Sequence, residues 1–490
     1  MKFTVDRDAL GEAVTWVARA LPTRPVLPVL AGLLLRAERE DPNQIGMNGP
    51  GLLTLSCFDY EVSARMQVRA EVAEPGTFLV PGRLLLEIVR SLPDAPVEFG
   101  DDPDGISVTC GEVSFAVASL PSAEYPELPD LPQLAGTADG GVLATAIGQV
   151  TPAASRDDTL PMLTAVNVEF DGEMMTLAAT DRYRLAVREL TWHPAPGFGP
   201  QGKTALLVPA RTLSDAAKMM SAGTEVRIML RPSGEGTAAA ASDGAAPGGA
   251  GASGGGRGAS AGGGDVSGGG GGASPGGRGA SAGRVAVGGG SAGAAEAMIG
   301  FEAGQRQLTA RLLAGEFVRY RARFPEEFGC TADLPAEAFA EAVRRVALVA
   351  ERGTPVQLTF APGRVTVGAA TQGQARARES VPADFTGDEP AIAFSPHYLL
   401  DGVVAATAGS ATASGSHVPG GRPAATGSGT GTDQAPAAGD GHGPASGRVR
   451  LWFTSASKPA VITSQPDPDS DAKQAESDFR YLVVPQRVAQ

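Results

Sequence analysis

Val80-Pro81-Gly82-Arg83-Leu84-Leu85 is one of three related segments in this chain. The others are Val208-Pro209-Ala210-Arg211-Thr212-Leu213 and Ser395-Pro396-His397-Tyr398-Leu399-Leu400. Strand-like residues precede each proline, and proline suits the first position of a helix, where its missing N–H is not needed. Each segment therefore predicts a strand that leads directly into a helix.

Two further landmarks recur in the same order around these helix starts. Leu-Pro-Val-Leu at 27–30 returns as Leu-Pro-Met-Leu at 160–163 and as Thr-Pro-Val-Gln-Leu at 354–358, and the strand at 53–59 returns at 175–181 and 365–371. Pro81, Pro209 and Pro396 are 128 and then 187 residues apart, and the excess is close to the length of a Gly-rich segment at 233–293. Without that segment the period is uniform, which predicts three equivalent units.

The chain contains two low-complexity insertions, at 233–293 and 405–447, composed mainly of Gly, Ala, Ser, Thr and Pro. Such compositions bury too little apolar surface to offset their ordering entropy, so we expect disordered loops inside folded units. We predict a first domain at 1–128, a second at 129–327 that carries insertion 233–293, and a third at 328–490 that carries insertion 405–447.

Each unit is predicted to open with a helix, at Asp8–Leu21, Val142–Ala153 and Pro335–Ala350. Alternating strands follow each of these helices, then the helix that starts at the repeated proline, then more strands. Strands in runs, without strict alternation with helices, indicate an α+β fold with antiparallel sheets.

Composition restricts the classes of protein to consider. The 66 glycines are concentrated in the insertions, and the three cysteines form no metal-binding or disulfide pattern, which suits a reducing cytoplasm. No signal peptide or long apolar segment is visible. The net charge of −14 argues against an ordinary sequence-specific DNA-binding protein, which is usually basic. It is compatible with a protein that encloses DNA within a locally basic lining.

Gly197–Thr204 matches the phosphate-binding pattern GxxxxGK[ST] letter for letter. A working P-loop needs a helix immediately after the motif, whereas the residues that follow Thr204 are strand-like and end at a proline. The match is interpreted as a turn between strands. A nucleotide-binding enzyme is kept as the least favoured alternative.

Other catalytic or metal-binding arrangements are not apparent. The four histidines are scattered, and the acidic pair Asp157-Asp158 has no further ligand at a suitable spacing. We therefore expect no catalytic residues, no metal site and no cofactor.

Basic residues recur at equivalent positions of the second helices. Arg83 and Arg90 are seven residues apart in the first unit, and Arg211 and Lys218 repeat that spacing in the second. The third unit has Tyr398 and Ala405 there. A repeated basic helical face is typical of contact with phosphates.

The chain resembles the bacterial DNA polymerase III beta subunit (sliding clamp) family over nearly its whole length outside the insertions. The resemblance is carried by residues 1–5 (Met-Lys-Phe-Thr-Val), 24–30, 180–186 (Thr-Asp-Arg-Tyr-Arg-Leu-Ala), 315–317 with Tyr320-Arg321, and 481–488. It implies three clamp domains in each subunit of a head-to-tail homodimer, with antiparallel sheets outside and helices lining the hole.

That resemblance also implies partners and site residues. Double-stranded DNA would be encircled without sequence specificity, and Arg24 would join Arg83, Arg90, Arg211 and Lys218 as a DNA-binding residue. Phe115 and Val117 would meet Ala347 and Leu348 across the dimer interface. The DNA polymerase III alpha subunit, other polymerases and the clamp-loader complex would bind the chain.

A partner-binding cleft is implied between the second and third domains. Its residues would be Leu163, Thr180, Arg182, Tyr183, Arg184, Leu185, Val318, Leu482, Val484, Pro485 and Arg487. Val318, Ala322 and Arg323 stand where well-known members have Pro, Arg and Val, which leaves the peptide preference open. The leading interpretation is a replicative processivity factor without catalytic activity, and an accessory paralogue for repair or inhibitor resistance is the second.

Overall fold

One order of secondary-structure elements occurs three times along the chain. The computed structural model describes residues 1–40, 49–103, 105–198, 204–231, 297–350, 353–371, 375–387, 391–408, 447–465 and 478–486. Within these residues each unit has a strand, a helix, four strands, a second helix and three strands, and the second and third units add one short strand.

The bounds of the elements follow the repeat. The first unit contains β1 (Lys2–Val5), α1 (Arg7–Val17), β2 (Gly32–Arg39), β3 (Gly49–Phe58), β4 (Val62–Glu74), β5 (Gly76–Pro81), α2 (Gly82–Ser91), β6 (Val97–Asp102), β7 (Gly105–Cys110) and β8 (Val113–Ala118). The second contains β9 (Gln133–Asp139), α3 (Gly140–Val150), β10 (Ala165–Asp171), β11 (Met174–Thr180), β12 (Arg184–Thr191), β13 (His193–Pro194), β14 (Thr204–Pro209), α4 (Ala210–Ala217), β15 (Glu225–Arg231), β16 (Met298–Ala303) and β17 (Arg306–Arg311). The third contains β18 (Cys330–Pro335), α5 (Ala336–Ala347), β19 (Val356–Ala361), β20 (Arg364–Thr371), β21 (Ala375–Pro382), β22 (Asp384–Thr386), β23 (Ala391–Phe394), α6 (Pro396–Ala408), β24 (Arg448–Phe453), β25 (Ala460–Ser464) and β26 (Phe479–Val483).

Some predicted boundaries need correction. The opening α-helices end at Val17, Val150 and Ala347, earlier than predicted, and short 3-10 turns continue the first two. Pro81 and Pro209 have extended backbones and cap their helices from outside, whereas Pro396 is the first helical residue of α6.

The insertions lie largely outside the described residues. All of 233–293 does, and so does 409–446. The predicted insertion 405–447 began too early, because residues 405–408 belong to α6 and Ala405 and Ala406 are buried. The apolar residues of that last helical turn pack against the core and hold it in the helix.

The residues after the GxxxxGK[ST] match form a strand, as the interpretation of the match as a turn between strands predicts. Thr204 opens β14, in which it pairs with Phe170 of β10. A phosphate-binding loop would need a helix at that point. Residues 199–203 of the motif lie outside the described residues.

Each unit contains two antiparallel sheets. In the first unit β5, β2, β3 and β4 form one sheet, and β1, β6, β7 and β8 form the other, with the long β4 also pairing with β1. The same pairings hold for the equivalent strands of the other units. The last strand of one unit joins the sheet of the unit before it, since β17 pairs with β4 and β26 pairs with β12.

Helices pack on these sheets in pairs: α1 with α2, α3 with α4 and α5 with α6. The second helices of the first two units are amphipathic: Leu85, Ile88 and Val89 of α2 are buried, while Arg83 and Arg90 are exposed. The spacing of the apolar residues therefore turns the basic residues away from the core.

Candidate functional site

A small apolar cluster separate from the main core lies where the second and third units join. We call it the junction cluster. Its buried members are Ala178, Leu185, Val187, Tyr320 and Leu482, and Phe317, Phe324 and Val484 pack partly buried against it. The pairing of β12 with β26 forms its floor, because Leu185 lies opposite Leu482 in that ladder. Exposed apolar rims with a buried floor are typical of peptide-binding clefts.

The segment between the second and third units supplies the aromatic wall. Leu313 bridges to Leu207, and a 3-10 turn at Arg321–Arg323 follows Tyr320. Gly315 has a backbone φ of 141°, a conformation that favours glycine, and its Cα passes close to the Met162 side chain.

The turn between β11 and β12 presents the exposed rim. The Asp181 carboxylate accepts hydrogen bonds from the Tyr183 and Arg184 backbone N–H groups, both at 3.0 Å. Arg182 adopts a left-handed backbone conformation with φ of 80°. Tyr183 is 58% exposed, and its ring stacks on Tyr398 of α6 with centroids 6.1 Å apart.

Arg184 is the ionic link beneath this rim. Its guanidinium pairs with Asp181 at 3.0 Å and with Asp401 of α6, and it lies over the Tyr398 ring. Burial alone would lower the pKa of Arg184, but Tyr481, Asp401 and Asp181 outweigh burial and raise it. The contacts join the second unit to the third.

The C-terminal segment closes one side of the cleft. The Val484 N–H donates to the Tyr183 carbonyl at 2.9 Å, and the Gln486 N–H donates to the Ala393 carbonyl at 2.7 Å. Val484 and Pro485 are half-buried. Arg487 lies outside the described residues.

The predicted cleft residues divide into two groups. Leu185, Leu482 and Val484 belong to the junction cluster, and Arg182, Tyr183 and the 40% exposed Val318 lie at its margin. Pro485, next to Val484, is half-buried. The remaining described residues are buried: Leu163 outside the cluster, Thr180 with its hydroxyl donating to the Arg184 carbonyl, and Arg184 itself. These three support the cleft from below.

Sequence reasoning missed several contributors. They are Ala178, Val187, Phe317, Tyr320 and Phe324 in the cluster, and Tyr398 and Asp401 from α6. The spacing of three aromatic residues between two units was a usable signal. Nothing local in the sequence signals that α6 reaches the turn.

The junction between the first and second units has the same architecture but different chemistry. Asp59 caps its turn as Asp181 does, and Tyr60 has a left-handed backbone as Arg182 does. The outer trough there has a volume of about 610 Å³ and includes Ser56 and Arg65, at the positions of Ala178 and Val187. This trough is therefore more polar than the floor of the junction cluster, although Val29, Leu30, Leu79 and Tyr125 form a small apolar cluster beside it.

The basic residues lie on the helical side of the units. Arg24, Arg83, Arg90, Arg211 and Lys218 are all exposed. Arg90 and Lys218 line one groove, which Arg7, Arg19 and Arg306 also line and which sequence reasoning did not assign. Lys218 is paired with Asp215 at 2.6 Å.

The predicted dimer residues lie at the two ends of the chain's fold. Phe115 is half-buried and Val117 buried on β8, while Ala347 is half-buried and ends α5. Leu348 follows it and is 84% exposed. The chain alone does not bring these two pairs together.

No group of three or more His, Cys, Asp or Glu side chains in the described part of the chain could hold a metal ion. Among the same residues, no helix has the length and apolar character needed to span a membrane.

Comparison with known proteins identifies the family. Models of the DNA polymerase III beta subunit match its N-terminal domain at residues 1–129, its central domain at 138–244 and its C-terminal domain at 321–412. The "Beta sliding clamp" of Streptomyces coelicolor is 39% identical over 489 residues, covering 100% of both chains. The "Beta sliding clamp homolog GriR" of Streptomyces muensis is 37% identical over 403 residues, covering 82% of this chain and 88% of the relative.

Solved structures agree on the fold. The DNA polymerase sliding clamp from Bacillus subtilis superposes with a TM-score of 0.68 at 20% identity, and each chain is covered completely. The predicted α+β fold of three repeated clamp domains is confirmed. The chain belongs to the DNA polymerase III beta subunit family of sliding clamps.

Proposed function

We propose that this chain is a DNA sliding clamp: a ring-shaped homodimer in the cytoplasm that encircles duplex DNA and tethers a replicative polymerase. It would act by topology and by binding partners, with no catalytic activity of its own. The observation that carries the proposal is the repeat. Two junctions between successive units are formed by strand pairing, and two further strand edges of the same kind have no partner among the described strands.

The unused edges are the outer edges of β8 and β21. Last strands β17 and β26 each pair with the preceding unit, but no described strand covers the equivalent edge of β8. Likewise β4 and β12 each receive such a strand, while β21 ends its four-stranded sheet. A second copy, arranged head to tail, would fill both edges with the pairing already used twice. Two chains would then close a ring of six domains.

The internal junctions also suggest the register of this joint. The β7–β8 and β16–β17 hairpins both have two-residue turns, so their residues correspond one to one. In this correspondence Phe115 is equivalent to Leu308. Leu308 lies opposite Ala64 of β4, and the β20–β21 pairing aligns Ala377 with Ala64. We therefore expect Phe115 of one subunit to lie opposite Ala377 of the other, with Val117 opposite Ala375.

Helix ends would complete the interface. Leu348 corresponds by position in its unit to Arg19 and Pro152, which line the helical side of the first and second internal junctions. An 84% exposed leucine at the third equivalent place suits burial by a partner. The predicted contacts of Ala347 and Leu348 with the first domain of the other copy follow from the same symmetry.

The helical side would face the DNA. Arg24, Arg83, Arg90, Arg211 and Lys218 would then meet passing phosphates without reading bases. The net charge of −14 is consistent with an acidic outer surface that repels DNA from the wrong side.

The junction cluster is the proposed docking site for partners. The DNA polymerase III alpha subunit, other polymerases and the clamp loader would insert apolar anchors of short peptides against Leu185 and Leu482, beside the exposed Tyr183. A flexible peptide in a preformed apolar groove allows several proteins to use one site.

An accessory clamp for repair or inhibitor resistance is the second candidate. It is favoured by similarity to the "Beta sliding clamp homolog GriR" and by Val318 and Arg323 at the cleft. The two candidates share the ring, and differ in whether the chain alone sustains replication.

Processive synthesis on primed circular DNA tests the proposal. The intact chain, with a replicative polymerase and a clamp loader, should lengthen the products made in one binding event. A chain that ends after Val483 keeps β26 and both its ladders, so it should still dimerise but fail to stimulate. Equal product lengths with and without the intact chain would contradict the proposal.

A further inference from the structure

Arg323 places a charge beside an apolar site. It ends the 3-10 turn at Arg321–Arg323, and both Tyr320 and Phe324 around it pack in the junction cluster. Arg323 itself is exposed. A cationic side chain therefore stands at the wall of the cleft.

Turn geometry fixes the side on which Arg323 leaves the backbone. Residues three apart in a 3-10 turn lie on the same side. The Arg323 N–H donates to the Tyr320 carbonyl at 2.9 Å, which closes such a turn. Since the Tyr320 ring is buried in the cluster, Arg323 projects on the cleft side of this segment.

Two neighbouring arginines form ion pairs with carboxylates, whereas Arg323 forms none with the described residues. Arg321 pairs with Glu169 at 2.6 Å, and Arg480 pairs with Glu189 at 3.3 Å. No described carboxylate lies within ion-pairing distance of Arg323. Its charge is thus available to a ligand.

A second arginine stands on the opposite rim. Arg182 is exposed on the β11–β12 turn, and its left-handed backbone directs it away from the strands. Hydrogen bonds from Thr159 lower the pKa of Asp157 most, and the charge of Arg182 has the smallest effect. The Asp157 carboxylate therefore interacts with Arg182 only over a distance. On the segment that follows the second unit, Glu316, Glu326 and Glu327 are exposed acids, and none of them forms an ion pair with Arg182 or Arg323 among the described residues.

We infer that this cleft selects peptides in which an acidic residue flanks the apolar anchors. The inference rests on the proposed partner-binding function of the junction cluster. Leucine or phenylalanine anchors would fill the apolar floor, while a flanking Asp or Glu would pair with Arg323, and a second acid with Arg182. Apolar burial would supply affinity, and the arginines would supply the choice among partners.

Two synthetic peptides test the preference by fluorescence anisotropy with the full chain. Both carry the same Leu-Phe anchors, flanked by Asp and Glu in one and by Asn and Gln in the other. The acidic peptide should bind about two- to fivefold more tightly for each exposed ion pair, and the advantage should shrink at high salt. Equal affinities would overturn the inference.

The variant Arg323→Leu separates charge from folding. Because Arg323 is exposed, the variant should keep its circular dichroism, yet lose much of the preference for the acidic over the neutral peptide. Arg69→Leu, at an exposed position of β4 in the first unit, is the matched control and should retain the full preference. Unchanged preference in Arg323→Leu would contradict the inference alone, whereas no binding of either peptide to the wild type would contradict the proposed cleft as well.

Discussion

Arg184 is a buried side chain that links two units beneath the proposed cleft. It is 6% exposed and engages carboxylates from two units, Asp181 beside it in the turn and Asp401 across the junction. Its removal would leave both acids without their partner in a partly dry environment. The side chain therefore holds the turn that carries Tyr183.

Replacing Arg184 with Leu should destabilise the chain by about 3 kcal/mol, because the loss of one partner from a buried ion pair is costly. Because Asp401 is partly exposed, we expect a loss of stability at the lower end of what breaking a buried ion pair usually causes. Urea denaturation measures the change, and Arg69→Leu should stay within about 0.5 kcal/mol of the wild type. A similarly small effect of Arg184→Leu would show that the link contributes little.

At this scale the sequence could name candidate cleft residues but not which of them are buried and which are exposed. Resemblance pointed to Leu163, Thr180 and Arg184 together with Tyr183, yet only the three-dimensional packing separates buried supports from exposed rim. Tyr398 and Asp401 were missed because their contacts span more than 200 residues of chain. Local patterns carry no information about such contacts.

Among the elements, α2 and α4 are the helices whose exposed faces the sequence predicted best. Their apolar spacing fixes which face is buried, so the exposure of Arg83, Arg90 and Arg211 follows from periodicity alone. The exact ends of the helices could not be predicted from the sequence, because 3-10 turns and capping prolines depend on the neighbouring strands. The last turn of α6 was missed because Ala and Thr resemble the insertion that follows.

Changing Arg83, Arg90, Arg211 and Lys218 together to Ala should weaken binding to a short duplex and flatten its salt dependence. Each lost phosphate contact removes about 0.9 from the slope of log affinity against log salt. Lys218 should contribute least, since Asp215 already pairs with it.

Fluorescence anisotropy over a salt series provides this measurement, with peptide binding as the control for folding. Exposed charges add little stability, so the variant's peptide affinity should be unchanged. A slope equal to that of the wild type would mean that these helical faces do not meet DNA.

At the scale of the whole molecule, the repeat in the sequence already implied three equivalent units. It could not reveal that the units share continuous sheets, because the pairing of β17 with β4 and of β26 with β12 joins distant segments. Those two ladders are the structural basis for the proposed ring closure.

A pair of cysteines can test the register of that closure. If Phe115 lies opposite Ala377, then Ser114 lies opposite Arg378, and both residues are exposed in the single chain. Ser114→Cys with Arg378→Cys should form a disulfide between subunits on oxidation. Ser114→Cys with Arg376→Cys should not, because a shift of two residues exceeds the reach of a disulfide.

Non-reducing gel electrophoresis would detect the covalent dimer. The native Cys57, Cys110 and Cys330 are buried and should not interfere. Cross-linking of the shifted pair, or of neither pair, would contradict the proposed register.

The central claim is that the protein holds DNA by encircling it, and retention on circular against linear DNA measures this most directly. Clamps loaded onto nicked circular DNA and then placed in high salt should stay bound, because screening weakens phosphate contacts but leaves a closed ring intact. Cutting the circle once should release them through the new ends. Equal loss in high salt from the circle and from linear DNA would show that the protein grips DNA by contact, and the encircling account would be contradicted.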